Sequence, residues 1–306
     1  MDQNSDAYYR NLDEMSLMPG WARRQQTLWP EPRPKFKAMI WYYQKARAAL
    51  EAAGQFISTE QAERRNLVML NPMEGNNYAT SRNIVAAYQM IMPGERARTH
   101  RHSASALRLI LDVAPGTYTV VNGARIDMAN ECVVLTPGWC WHGHASDAST
   151  PGYWIDFLDV PLIHHLESVF IERSARGYEP PTHTDTRSAY LFSPQEVLGS
   201  GSGPVDVVIG AEHMRTIGLH LVRLPSGTQR TMPKSTANNL YAVIKGSARV
   251  EVEGGVAGVL GKGDLVAVPC WHTHSLHAES ALTLLRVTDE PILQALGYLR
   301  SADAAS

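Results

Sequence analysis

No stretch of this 306-residue chain approaches the roughly 20 consecutive apolar residues of a membrane-spanning helix, and the polar opening from Met1 to Arg10 lacks the apolar core of a secretory signal. Runs of five or more like charges are also missing. A net charge of -2 and a pI near 6.6 provide no basic face for nucleic acid or anionic lipid. Cysteine is scarce: Cys132, Cys140 and Cys270 form no CxxC pair, which argues against a disulfide framework or a zinc ribbon and leaves them as small core residues. These absences point to a cytoplasmic protein with small solutes as partners, and with neither a nucleic-acid nor a membrane partner. What is present, 44% hydrophobic residues, suffices for two domains of ordinary size.

Residues 1–57 read as a helical arm. Lys37 to Ala53 has helical character with Gly54 as its closing residue, and Pro30, Pro32 and Pro34 keep the preceding segment extended. From Ile84 onward, short runs of Val, Ile, Leu and aromatics alternate with Pro-Gly, Asn-Gly and Gly-Gly, the pattern of an all-β sandwich or barrel. The order of parts then repeats. Pro93-Gly94, a hairpin closed by Asn122-Gly123 and Pro137 before Trp141-His142 are matched by Pro225-Ser226-Gly227, a hairpin closed by Gly254-Gly255 and Pro269 before Trp271-His272. The step from hairpin turn to proline is the same in both copies, which points to an internal duplication. The expected boundaries are 58–175 for the first β-barrel, 176–210 for a linker and 211–306 for the second barrel.

Of the 12 histidines, His100 and His102 stand apart. Two residues apart in a strand, their side chains share one face about 7 Å apart and can share a metal. The same parity runs through Ala104 and Ala106 to Arg108, which puts an arginine in the barrel interior. Asp156 is available as a structural partner, but a buried ion pair seldom repays its desolvation, so a bound carboxylate is the sharper reading. His142 is the candidate third ligand, arriving from a strand distant in sequence. Its neighbours Trp139 and Trp141 would dry and shape a cavity, and His144 shares its parity.

The spacing of Gly94, His100, His102 and His142 resembles the two-part signature of cupins, a double-sheet jelly-roll fold. The glutamate that cupins often carry after the second histidine is replaced by Ala106 or Leu107, leaving three neutral imidazoles and open coordination positions. Pro93-Gly94-Glu95, His100 to Arg108, Trp139 to His142, Trp154 to Leu162 and Arg64-Arg65 together resemble the gentisate and salicylate 1,2-dioxygenase family of bicupins. That resemblance implies two jelly-roll barrels behind the helical arm, Fe(II) on His100, His102 and His142, and an Arg108 that clamps a substrate carboxylate. It implies further that Arg64, Gln89, His144 and Asp156 either contact the substrate or hold the residues that do, and that O2 opens a 2-hydroxybenzoate between C1 and C2. Gentisate, a 5-substituted salicylate or 1-hydroxy-2-naphthoate would be the substrate, and a homotetramer the assembly.

Three departures from the family pattern stand out. Gly143 replaces an aspartate, Val85 a tryptophan found in some members, and Asn130-Glu131 a Gly-Asp turn. The first two would open the wall near the ring to a bulky 5-substituent. In the second copy, Pro233 and Ser235 fall at the places of His100 and His102, Tyr241 at that of Arg108, and only His272 remains, so that barrel is expected to bind no metal. Two rivals keep the fold and change the function: a non-catalytic sensor of a small aromatic acid, and a metal-dependent isomerase or hydrolase.

Overall fold

The computed structural model describes residues 3–22 and 27–302. Met1–Arg33 is one unit, with the helix Gln3–Glu14 and the 3-10 turn Gly20–Ala22; Pro34–Ser306 is the other. Among the described residues no helix is long and apolar enough to cross a membrane.

In the larger unit the strands form four sheets, two to each jelly-roll barrel. One sheet of the first barrel runs in the order Leu191–Phe192, Val133–Thr136, Ala106–Asp112, Gly152–Leu158, Val85–Ile91, Arg65–Val68. The other runs Ile171–Arg173, His100–His102, His142–Ser146, Thr117–Val121, Ala124–Asp127, His183–Thr184. The second barrel pairs a six-stranded sheet, centred on Asn239–Lys245 and Leu282–Thr288, with a four-stranded one that includes Ala248–Val252 and His274–Ala278. Both hairpin turns carry positive φ at their two central residues, 48° and 83° at Asn122-Gly123 and 94° and 100° at Gly254-Gly255, as a tight turn between twisted strands demands.

The burial pattern tells the sheets apart. Val85–Ile91 is buried at every position because one face lines its barrel while the other packs on the sister barrel. Ala248–Val252, on an outer sheet, alternates buried and exposed. Leu107, Leu109, Ile155 and Phe157 of the first barrel meet Leu219, Leu240, Leu285 and Val287 of the second in one continuous apolar core. Two buried aspartates add a reciprocal latch. Asp159 accepts from Ser105 N (2.8 Å) and from Thr216 Oγ1 of the second barrel (2.5 Å). Asp289 accepts from Asn238 N and Nδ2 (2.7 and 2.6 Å) and from Asn83 Nδ2 of the first barrel (2.7 Å). Asp289→Ala would leave these buried donors unpaired and should cost about 2–4 kcal/mol. Urea unfolding measures this, and an unchanged midpoint would show that the latch contributes nothing.

Two segments differ from the expected outline. Only Tyr43–Ala53 is helical; Met39–Trp41 pairs instead with Leu265–Val268, because an open sheet edge there supplies its backbone partners. The stretch 176–210, expected as a linker, supplies short strands: His183–Thr184 and Leu191–Phe192 extend the first barrel, and Val205–Ile209 the second. Edge strands this short carry too little alternation to be read from sequence.

Candidate metal centre

His100 and His142 face each other across a strand pair, and His102 follows two residues on. The ring centroids of the three imidazoles lie 4.5 to 5.3 Å apart, and their ligand atoms all fall within 4.8 Å of one another. Each Nδ1 is already engaged. That of His102 donates to Ala104 O (2.8 Å), that of His142 to Cys140 O (2.9 Å), and that of His100 lies 3.2 Å from Glu63 Oε1. These bonds fix the tautomer and leave three Nε2 lone pairs for a common ion. Burial, Arg64 and His102 push His100 down to about 3, and burial with Arg108 holds His142 well below its ordinary value. Neutral imidazoles are the form a metal requires, so the donor set fits a first-row divalent ion. Ala106, 2% exposed, offers no carboxylate to it.

Arg108 is 3% exposed and reaches toward the same interior. Its Nη1 donates to Thr136 Oγ1 (2.8 Å) and its Nη2 to His144 Nε2 (3.0 Å). Its Nε lies 3.1 Å from Asp156 Oδ1 without the angle of a hydrogen bond, and both of those atoms are otherwise without a partner. Burial lowers Arg108 only to about 10, so it stays charged. Each of its two terminal nitrogens keeps one further N–H uncommitted. His144 has both nitrogens occupied: Nε2 accepts from Arg108, and Nδ1 donates to Thr119 Oγ1 (3.1 Å), whose hydroxyl passes on to Gly143 O. It therefore holds Arg108 in place. Asp156 also accepts from Trp154 Nε1 (3.0 Å). Gln89 pairs across the sheet with Trp154 and so faces the interior beside Asp156. It is 4% exposed and makes no side-chain hydrogen bond among the described residues. Val85 lies further along the same face, opposite Leu158.

Three expected neighbours, Trp139, Trp141 and Gly143, sit elsewhere. Trp139 is 41% exposed, and with Trp141 it sandwiches the Arg101 guanidinium at 4.8 Å on the outer face, so neither ring dries the cavity. Parity explains this, since Arg101 points away from the face that His100 and His102 share. A Cβ on Gly143 would meet Thr99 Oγ1 and Ala97 O at 3.1 and 3.2 Å, on the far side from His142 and His144. The lost aspartate therefore does not widen the interior. Arg64 lies against the Nδ1 side of His100, 3.2 Å away. Glu63, Thr136 and Thr119 had no signal in the sequence; the threonines become visible only once strands far apart in the chain are paired, and Glu63 only once the end of the helix Thr59–Ala62 is set beside His100.

The second barrel repeats the first with an offset that differs from the expected one. Val121 ends its hairpin strand opposite His142, and Val252 ends the equivalent strand opposite His274. Trp139 N donates to His102 O (2.7 Å) and Trp271 N to Ser235 O (2.6 Å), both tryptophans having positive φ. His274, not His272, thus holds the place of His142, and Ser235 that of His102. Met232, opposite His274, stands where Pro233 was expected. The repeated Trp-His dipeptide misleads because it falls two residues later in the first turn. His274 Nε2 is taken by the Tyr241 hydroxyl at 2.7 Å. One imidazole, a thioether and a hydroxyl cannot compete with three imidazoles, so the loaded protein should contain one metal per chain and keep it in His274→Ala. Two metals per chain by elemental analysis would contradict the assignment.

Residues 87–159 match the family described as Cupin domain. The chain is 30% identical to a 5-aminosalicylate 1,2-dioxygenase of Comamonas sp over 96% of this chain and 89% of that one. It is 28% identical to gentisate 1,2 dioxygenase 1 of Aquipseudomonas alcaligenes over 96% and 95%. The crystal structure of a salicylate 1,2-dioxygenase from Pseudaminobacter salicylatoxidans superposes with a TM-score of 0.85 at 27% identity, covering 96% of this chain and 95% of that one. With two jelly-roll barrels, one histidine triad and full-length similarity of this kind, the chain belongs to the gentisate and salicylate 1,2-dioxygenase family of bicupins.

Proposed function

We propose that this protein is an Fe(II)-dependent dioxygenase that uses O2 to open the ring of a 2-hydroxybenzoate between C1 and C2. The observation that carries the reading is a triad of neutral imidazoles beside a buried arginine with two uncommitted N–H groups. Imidazole suits Fe(II), and iron bound there would supply the redox chemistry that lets ring and O2 react. The chain's own residues would bind and orient the substrate. Arg64 and Arg108 are balanced in charge by Glu63 and Asp156, so a divalent ion on neutral ligands leaves the site two positive charges in excess. A carboxylate with an ortho phenolate, a dianion, matches that charge, and Arg108 would grip its carboxylate. Asp156 and His144 hold Arg108 rather than touch the ring, and the Gln89 amide is available to a ring substituent.

The metal-bearing unit would be residues 58–175, with residues 211–306 as a structural partner, a homotetramer as the assembly and the cytoplasm as the location. The relatives act, by name, on 5-aminosalicylate and gentisate, which differ at the ring 5-position. With Val85 on the interior face, 5-substituted salicylates should be turned over as readily as gentisate. Initial rates of O2 uptake over gentisate, salicylate, 5-amino- and 5-chlorosalicylate test this, and strict selectivity for gentisate would reject it.

A further inference from the structure

Of the three ligand imidazoles, two give their Nδ1–H to backbone carbonyls, and only His100 is held by an ionisable side chain. Glu63 Oε1 lies 3.2 Å from His100 Nδ1 and 3.0 Å from Arg64 Nη1, while His100 Nδ1 and Arg64 Nη1 are themselves 3.2 Å apart. With Nε2 given to the metal, His100 Nδ1 carries the proton, and arginine offers it no acceptor, so both N–H groups donate to the same carboxylate oxygen. Glu63 Oε2 in turn lies 3.7 Å from Arg173 Nη2, on the edge strand that pairs with His100–His102. Glu63 closes the short helix Thr59–Ala62 with φ 57° and ψ -47°, a backbone conformation that side chains rarely adopt. Such strain is kept where surrounding contacts impose it, often at functional sites. The helix start is fixed by a capping box of Ser58 and Gln61.

We propose that Glu63 is a positioning residue that orients the metal ligand His100 and the substrate-side Arg64 through one carboxylate oxygen. This rests on the metal reading of the histidine triad and adds to it. A carboxylate on Nδ1–H makes the opposite nitrogen a stronger donor and fixes the ring plane, which a backbone carbonyl does less strongly. Glu63 thereby sets both the metal ligand and the arginine from one side chain, each through its own N–H.

The test uses the metal-free full chain titrated with Co(II) under anaerobic conditions, followed by visible absorption and by proton NMR of the loaded protein. E63A should weaken Co(II) binding about 10–100-fold. E63Q, whose amide oxygen still accepts the Nδ1–H, should fall between E63A and the parent. R64A should bind Co(II) nearly as well as the parent while raising KM, and E63Q should share that rise because the charge holding Arg64 is gone. In the parent, each ligand N–H gives one exchangeable hyperfine-shifted signal, and E63Q should move or broaden one of them while R64A leaves all in place. Parent-like Co(II) affinity with unmoved N–H signals in E63Q would overturn the proposal, even if E63A failed to fold. So would an R64A that lost Co(II) as fully as E63A, because the effect would then trace to Arg64. A parent that bound no Co(II) would sink the metal reading itself, and this link with it.

Discussion

Replacing His142 with alanine is expected to abolish metal retention and, with it, all turnover. The loss should exceed the about 10–100-fold that removal of an outer hydrogen-bond partner costs a metal site, because a ligand atom disappears. The same holds for His100 and His102, since the three form one cluster and two imidazoles make a weak chelate. His142 is the cleanest variant. It is 2% exposed, it lies opposite both Val121 and His100, and its Nδ1 partner is backbone that the substitution leaves in place. Elemental analysis of protein loaded anaerobically and desalted gives the answer. Full metal in His142→Ala would show that the ion sits elsewhere.

Arg108→Ala should lower kcat/KM by about 1.5–3 kcal/mol, the scale of a hydrogen bond to a charged group, and should raise KM. The variant also leaves the Asp156 carboxylate buried without its partner, at a cost to stability of about 3–5 kcal/mol. These effects separate in the double variant with Asp156→Asn. Removing the stranded charge should restore much of the stability, but kcat/KM should stay low because the carboxylate grip is still missing. If Arg108→Ala left KM unchanged, Arg108 would be half of a structural ion pair and nothing more. Arg108→Lys should resemble alanine in kcat/KM, since one ammonium cannot bond Thr136, His144 and a substrate carboxylate from a single planar fork.

The histidine triad was legible because it rests on local parity and on one repeated turn. His100 and His102 share a face by the two-residue period of a strand, and the hairpin-to-proline spacing brought His142 into the comparison. The same parity rule, applied one residue further, would also have turned Gly143 outward. Resemblance to relatives drew it inward instead, although a side chain next to a ligand on a strand points to the opposite face; Trp139, expected inward as a neighbour of His142, lies in the turn before that strand with φ 70°. In the second barrel the Trp-His dipeptide outweighed the hairpin register. Cross-strand pairing with Val252 selects His274, and the count from the proline agrees, since His142 and His274 each lie five residues past Pro137 and Pro269. Glu63 and Thr136 were out of reach for a different reason. Glu63 meets His100 from 37 residues away through a backbone conformation that sequence does not announce, and Thr136 meets Arg108 across 28.

The central claim is ring opening by O2 at one Fe(II) per chain in the first barrel. The most direct measurement loads the protein anaerobically with Fe(II), adds a 2-hydroxybenzoate such as gentisate or 5-aminosalicylate, admits 18O2 and analyses the product by mass spectrometry. The account predicts one O2 consumed per substrate, a ring-opened product carrying both labelled atoms, and no reaction in the protein loaded with zinc. O2 left unconsumed across the whole salicylate panel, or a product without label, would contradict it.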